Sequence, residues 1–251
     1  MAQTHDLYVD GTGPAYRIEP HVKVVATFAF VLAVVATPRT AVWAFGLHAV
    51  VAVAAVAAAG LPPRLVARRV RMGLPFVAFA VLLPIVGSDP RVQVAGASLS
   101  EPGLWAAWEI LAKATLGLVA AVCLTATTPV AGLLRGLDRL RVPRVLIAIA
   151  GFMVRYLVVI GGEASRMRIA RVSRGDDPRW LWQARSTAAT AGTLFVRSYE
   201  RGERVHLAML ARGYTGAMPV LHADPARSGW FPALVLPIAA AAVMVAARVV
   251  G

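Results

Sequence analysis

The sequence predicts an all-α integral membrane protein, with about five transmembrane helices and a cytoplasmic domain of long amphipathic helices. Hydrophobic residues make up 58% of the 251 residues, against roughly 45–50% in soluble domains. Several charge-free apolar runs approach the length of about 20 residues that crosses a hydrocarbon core. The net charge of +13 is concentrated in the second half of the chain, because 15 of the 26 Lys and Arg residues lie between Arg135 and Arg212. A cytoplasmic membrane face carries such an excess.

The apolar runs define the predicted spans in chain order. The first extends from Pro20 to Thr37 if the amine of Lys23 reaches the membrane interface. The fourth contains Glu109 and Lys113, whose spacing of four residues predicts an ion pair on one helix face. The five predicted spans are 20–37, 40–63, 72–88, 104–127 and 228–247.

Loop charges set the predicted orientation. The loop 62–71 carries four arginines and is placed inside, whereas the loop 89–103 is placed outside. A sixth apolar run, Val145–Gly162, would carry the basic segment 166–212 outside if it crossed the membrane, and Arg155 interrupts it. We therefore expect this run to stay on the cytoplasmic side. The N-terminus is then cytoplasmic and the C-terminus outside.

Three domain segments follow from this topology. They are spans 1–4 in residues 1–128, a cytoplasmic helical domain in residues 129–216, and the last span in residues 217–251. The cytoplasmic domain is expected to contain a short helix at 130–141, which Pro143 stops. Two long helices should follow, one at about 145–174 and one from 180–187 to 212.

The sequence contains no recognisable catalytic or cofactor-binding constellation. A Walker A loop needs a lysine after glycine, and neither Lys23 nor Lys113 follows one. The five histidines lack metal-ligand spacing, and His48 is expected to be hydrogen-bonded within the bundle. The single cysteine excludes an intramolecular disulfide. Because membrane topology accounts for the basic residues, we expect no nucleic-acid partner.

Two short motifs remain, and they form the candidate site. Each of the two long helices is predicted to end in a small residue, an arginine and a glycine. One interpretation is an ordinary helix stop, since glycine ends helices readily and a cation favours the helix C-terminus. The other is that both arginines enter acidic clefts on two partner subunits. The candidate residues are Ser173, Arg174, Gly175, Ala211, Arg212 and Gly213.

Longer stretches of the chain resemble a known family. They are Tyr16-Arg17-Ile18-Glu19-Pro20, Leu134-Arg135-Gly136-Leu137-Asp138, and Arg197-Ser198-Tyr199-Glu200-Arg201-Gly202-Glu203-Arg204, followed by Ala211-Arg212-Gly213-Tyr214. The chain is similar to the transmembrane T component of energy-coupling factor transporters, most closely to the CbiQ type of cobalt or nickel uptake systems.

The resemblance implies a non-catalytic transport subunit in the bacterial cell membrane. Its partners would be two cytosolic ABC-type ATPases, a CbiM-like substrate-binding membrane subunit and a small CbiN-like accessory subunit, besides the lipid bilayer. The chain would hold no cofactor, because Mg-ATP would be bound by the ATPases, and Arg174 and Arg212 would be the coupling arginines. The alternatives are a membrane-embedded enzyme and a substrate-binding membrane subunit of a transporter.

Overall fold

The computed structural model describes residues 7–11, 13–94, 97–176, 184–216 and 230–250. The chain divides into two compact units, one made of Met1–Leu140 with Pro225–Gly251 and the other of Arg141–Asp224. The described residues form nine α-helices, one β-hairpin and two short 3₁₀ helices, Pro14–Arg17 and Arg71–Gly73. The α-helices are α1 (Pro20–Ala36), α2 (Val42–Ala58), α3 (Pro63–Val70), α4 (Leu74–Val86), α5 (Glu101–Thr127), α6 (Val130–Arg139), α7 (Arg144–Ser173), α8 (Ala184–Ala211) and α9 (Trp230–Val250).

The first unit is a helical bundle with its own core. Helix α1 packs on α5 and α9, α2 packs on the same two helices, and α4 packs on α5. Phe30, Val34, Phe45 and Leu116 form the buried centre. The outward faces of the same helices carry exposed apolar side chains, as helices facing lipid do. The prediction of an all-α membrane protein is confirmed.

Three helical segments are long and apolar enough to cross a membrane by length and composition. They are Pro63–Val86, Glu101–Thr127 and Arg144–Ser173, and shorter apolar helices occupy Pro20–Ala36, Val42–Ala58 and Leu234–Val249. Helix α7 thus qualifies as a span on composition, although loop charges placed its apolar half on the cytoplasmic side. That placement stays a prediction.

Several polar side chains inside the bundle have hydrogen-bond partners. Lys113 Nζ lies 2.6 Å from Glu109 Oε1 and also donates to the carbonyl of Val35, which confirms the predicted ion pair. His48 is fully buried, and its Nε2 lies 3.1 Å from the Thr37 hydroxyl, as expected. Lys23 is buried, and its Nζ donates to Thr127 O at 3.0 Å, at the end of α5. The expectation that Lys23 reaches the membrane interface stays a prediction.

Two segments predicted as loops contain regular structure. Residues 63–70 form α3. Apolar residues in this segment recur at four-residue spacing, but its four-arginine stretch was interpreted as a loop. The loop 89–103 contains an antiparallel hairpin, in which β1 (Arg91–Val94) pairs with β2 (Ala97–Ser100). Helix α5 begins at the end of this hairpin, where the Ser100 hydroxyl accepts the N–H of Gly103.

Helix α6 belongs to the first compact unit, which extends to Leu140. The start of a cytoplasmic segment at residue 129 stays a prediction. A Cβ at Gly136 would lie 2.9 Å from the backbone nitrogen of His21, so this glycine permits close packing of α6 on the start of α1. Arg139 Nη1 donates to Glu19 Oε2 at 2.6 Å across the same contact. The predicted boundary between residues 216 and 217 and the start of the last span lie outside the described residues.

Candidate functional site

The candidate site is carried by the second unit, in which α7 and α8 form an antiparallel pair. Glu163 on α7 accepts hydrogen bonds from two arginines of α8, Arg197 Nη1 at 3.3 Å and Arg201 Nη2 at 3.0 Å. The two arginines are four residues apart and therefore share one face of α8. The side chain of Glu163 is only 13% exposed, so this carboxylate is a central contact between the helices.

A second set of contacts joins the end of α7 to the beginning of α8. Arg171 Nη1 donates to the hydroxyls of Thr187 at 3.1 Å and Thr190 at 3.4 Å. The Ser186 hydroxyl donates to Asp176 Oδ1 at 3.2 Å. These contacts place the first motif, at the end of α7, beside the beginning of α8.

The first motif ends α7 in a Schellman cap. Arg174 is the capping residue and Gly175 follows it with φ +82°, a left-handed conformation that glycine adopts without a Cβ clash. The N–H of Gly175 donates to Val172 O at 2.9 Å, and the N–H of Asp176 donates to Arg171 O at 3.1 Å. These are the two bonds that define the motif.

The second motif ends α8 with the same geometry. Gly213 has φ +79°, its N–H donates to Leu210 O at 2.9 Å, and the N–H of Tyr214 donates to Met209 O at 3.0 Å. Arg212 therefore takes the capping position that Arg174 takes in α7. The sequence predicted two helix stops. In the structure, both helix ends have the same capping geometry, with a left-handed glycine and the same two cap hydrogen bonds.

Both capping arginines are exposed. Neither makes an ion pair or a side-chain hydrogen bond within the described part of the chain. Asp176, two residues after Arg174, contacts Ser186 near the start of α8, and Arg212 follows 26 residues after Ser186. At about 1.5 Å per residue, the two helix ends are therefore about 40 Å apart along α8. The unit thus presents two free cations on equivalent helix ends, far enough apart to meet two separate protein surfaces.

Charged and hydroxyl side chains, rather than a close approach of the two backbones, connect the helices. Arg171 bonds to α8, whereas Arg168 on the same helix is exposed. A Cβ at Gly161, Gly192 or Gly202 would meet no atom within 4 Å, so these glycines do not serve a tight helix crossing.

Sequence reasoning missed the role of Glu163. The stretch 197–204 was recognised as family-like, but the contact of its arginines with Glu163 was not deduced. The usable signal was a single acid on one long helix opposite two arginines at spacing four on the next, in a region where acids are scarce. The intrahelical pair of Glu200 and Arg204 lies at 3.8 Å.

Among the described residues, no group of three or more His, Cys, Asp or Glu side chains could hold a metal ion. His5 and His222 lie outside that part of the chain. His48 is occupied by its contact with Thr37 in the bundle.

Comparison with known proteins gives consistent matches. The family model described as CbiQ, cobalt transport protein, matches residues 12–221. The cobalt transport protein CbiQ of Rhodobacter capsulatus is 35% identical over 165 residues, which cover 64% of each chain. The putative fused cobalt transport protein CbiMQ of Methanocorpusculum labreanum is 30% identical over 66% of this chain and 29% of its own length. The energy-coupling factor transporter transmembrane protein EcfT of Bacillus selenitireducens is 26% identical over 83% of this chain and 82% of its own. The chain thus spans less than two thirds of the length of the first two relatives.

Proposed function

The chain belongs to the CbiQ family as a transmembrane T component of the energy-coupling factor type, and we propose that it couples two ATPases to a substrate-binding membrane subunit. The transported substrate would be cobalt ions, in line with the family description, or nickel ions, as the sequence resemblance implies. The subunit itself would be non-catalytic, and the ATPases would bind Mg-ATP.

The observation that carries the proposal is the equivalence of the two helix ends. Two like subunits need two like contacts, and α7 and α8 each end in a Schellman cap with an exposed arginine at the capping position. A guanidinium entering an acidic cleft forms a directional, charge-assisted contact. The separation of about 40 Å along α8 suits one arginine per ATPase subunit.

Membrane orientation supports the same arrangement. We propose that the N-terminus is cytoplasmic, because α3 and the turn after it carry Arg64, Arg68, Arg69 and Arg71. The second unit then lies on the cytoplasmic side, with Arg155 as an obstacle to membrane crossing by α7. The C-terminus would lie outside after α9.

The partner that selects the metal would be a separate chain. A relative whose name joins CbiM to CbiQ supports a CbiM-like partner, and a CbiN-like accessory subunit would complete the membrane part. Two long helices held together by exposed polar contacts can change their relative angle at low cost, as such coupling requires.

Charge reversal of both capping arginines tests the proposal. The variant Arg174→Glu/Arg212→Glu should still insert into the membrane but should fail to co-purify the ATPases and should stop metal uptake. The matched control is Arg168→Glu/Arg204→Glu, which makes the same charge change on exposed positions within the same helices. Unchanged uptake and ATPase recovery in the first variant, or equal losses in both, would end the proposal.

A further inference from the structure

The bundle of the first unit contains a cavity of about 460 Å³ that the coupling role does not use. It lies between α1, α2 and α5, and the 3₁₀ helix Pro14–Arg17 contributes to one end. Volumes of 300–1,000 Å³ with mainly apolar walls are typical of small-molecule sites. Alanines on three helices leave this space open, among them Ala26, Ala55 and Ala120.

The cavity has an exposed end and a buried end. At the exposed end it is lined by Arg17, which carries a charge, and by Ala58, whereas Phe30 and Ala52 line the buried, apolar end. The distance from Lys23 to Phe30 along α1 is seven residues, or about 10 Å. One leaflet of hydrocarbon is about 15 Å deep, half of the usual core. The cavity is therefore long enough, and apolar enough at its buried end, to hold part of a lipid chain whose head group lies at the membrane surface.

Lys23 lies in the wall with an incomplete set of partners. Its ammonium has three N–H donors, and two are used by Thr127 O at 3.0 Å and Thr128 Oγ1 at 3.2 Å. No carboxylate pairs with it within the described part of the chain. A buried cation without a counter-ion is costly. An anionic group at the exposed end would offset that cost.

Arg17 supplies a second cation at the same end. Its side chain is exposed and makes no ion pair or hydrogen bond with any described residue. The aromatic ring of Tyr16 lies 5.8 Å from Lys23 Nζ and encloses the ammonium further. Two cations next to an apolar chamber match an anionic head group joined to a hydrocarbon chain.

We propose that this cavity binds one acyl chain of an anionic amphiphile, with the head group held by Arg17 and Lys23. The shared chemistry is a phosphate or carboxylate attached to an alkyl chain. A membrane phospholipid and a free fatty acid both have it. The occupant would fill the bundle beside α1 and supply the counter-ion that Lys23 lacks.

Photo-crosslinking of the full chain in phosphatidylcholine nanodiscs tests the site. Phosphatidylglycerol and phosphatidylcholine probes with the same diazirine-bearing chain are compared, and cross-links are mapped by peptide mass spectrometry. Each cation near a membrane surface contributes about 1 kcal/mol to the binding of an anionic lipid. We therefore expect the phosphatidylglycerol probe to label the lining segments 51–58 and 119–127 at least about five-fold more than the phosphatidylcholine probe does. Dodecanoate is the competitor that distinguishes the two sources. Displacement of the probe indicates a fatty acid, and retention indicates a phospholipid.

Variants separate the chain site from the head-group site. Ala52→Phe fills the deep end and should abolish cavity labelling, and Ala55→Leu serves if that variant does not fold. The control Ala54→Leu changes an exposed position of the same helix and should leave labelling intact. Arg17→Gln should reduce the preference for the phosphatidylglycerol probe about five-fold. The control Arg39→Gln, at an exposed position outside the lining, should leave that preference unchanged. Equal labelling by the two probes, or cavity labelling that survives both filling variants, would overturn the proposal.

Discussion

Neutralising Glu163 tests whether one carboxylate holds α7 against α8. The substitution Glu163→Gln keeps the shape of the side chain but removes the charge that attracts Arg197 and Arg201. Exposed ion pairs contribute about 0.2–1 kcal/mol each. Arg197 is 57% exposed and Arg201 39%, so solvent screens both, while the shielded position of Glu163 favours the upper end of the range. We expect a total loss of about 1–2 kcal/mol in the contact between the helices.

Amide hydrogen exchange in the purified full chain measures this loss. Helices that separate in water are marginally stable alone, so opening of the pair should expose the amides of both. A loss of about 1–2 kcal/mol corresponds to exchange about 5–30 times faster in segments 158–168 and 194–204. A double-mutant cycle with Arg201→Gln should return an interaction energy of at least about 0.5 kcal/mol.

The matched control is Glu200→Gln, which removes the same charge from an exposed pair within α8. Exchange there should change by about two-fold or less, since pairs at this spacing contribute about 0.3–0.5 kcal/mol. If Glu163→Gln accelerates exchange no more than Glu200→Gln does, the carboxylate does not hold the helices together and the reasoning is refuted.

Three further predictions concern single contacts. Gly213→Ala should weaken the last turn of α8 by about 1 kcal/mol, because alanine is strained at φ +79°. The control Gly202→Ala, in the same helix, should instead stabilise the helix by about 0.5–1 kcal/mol. Amide exchange at residues 205–212 measures both effects, and similar effects of the two variants would contradict the capping geometry. Lys113→Met should lower the thermal unfolding midpoint because it leaves Glu109 unpaired, which costs about 2–4 kcal/mol of unfolding free energy. The double variant Glu109→Gln/Lys113→Met should recover most of that loss. A double variant as unstable as the single one would contradict this prediction. Thr37→Val should cost about 1–3 kcal/mol in the same unfolding assay, because it leaves Nε2 of buried His48 without its partner. The control Thr125→Val removes only hydrogen bonds within its own helix and should cost less. Equal costs would show that the contact with His48 does not contribute to stability.

The sequence predicted the helices better than it predicted their contacts. Hydrophobic runs and prolines defined most helix ends to within a few residues, because Pro20 and Pro143 lie at or next to a helix start. The pair of Glu109 and Lys113 was accessible because both residues lie on one helix at fixed spacing. Contacts between distant segments were not accessible. Lys23 meets Thr127 across 104 residues, and no periodicity encodes such a meeting.

The candidate site shows the same division. The arginine–glycine ends were visible as motifs, since a C-cap needs only local residues. Their equivalence needed backbone geometry, namely the left-handed Gly175 and Gly213 with the same pair of cap bonds. The contact of Glu163 with two arginines depends on how α7 and α8 pair in space, which helix propensity does not determine.

The two units obtain their stability in different ways, and this difference bears on coupling. The first has a buried apolar core, whereas no described residue of α7 or α8 is buried. Apolar side chains such as Leu157, Val158 and Phe195 remain open to the surroundings. A helix pair of this kind cannot bury enough surface alone to be rigid. Its apolar faces need cover from outside the pair, while charged contacts such as Glu163 with Arg201 set its preferred angle. Because those contacts are weak individually, a partner that binds the two helix ends can shift the angle with a few kcal/mol, which is within the range of ordinary coupling energies between sites.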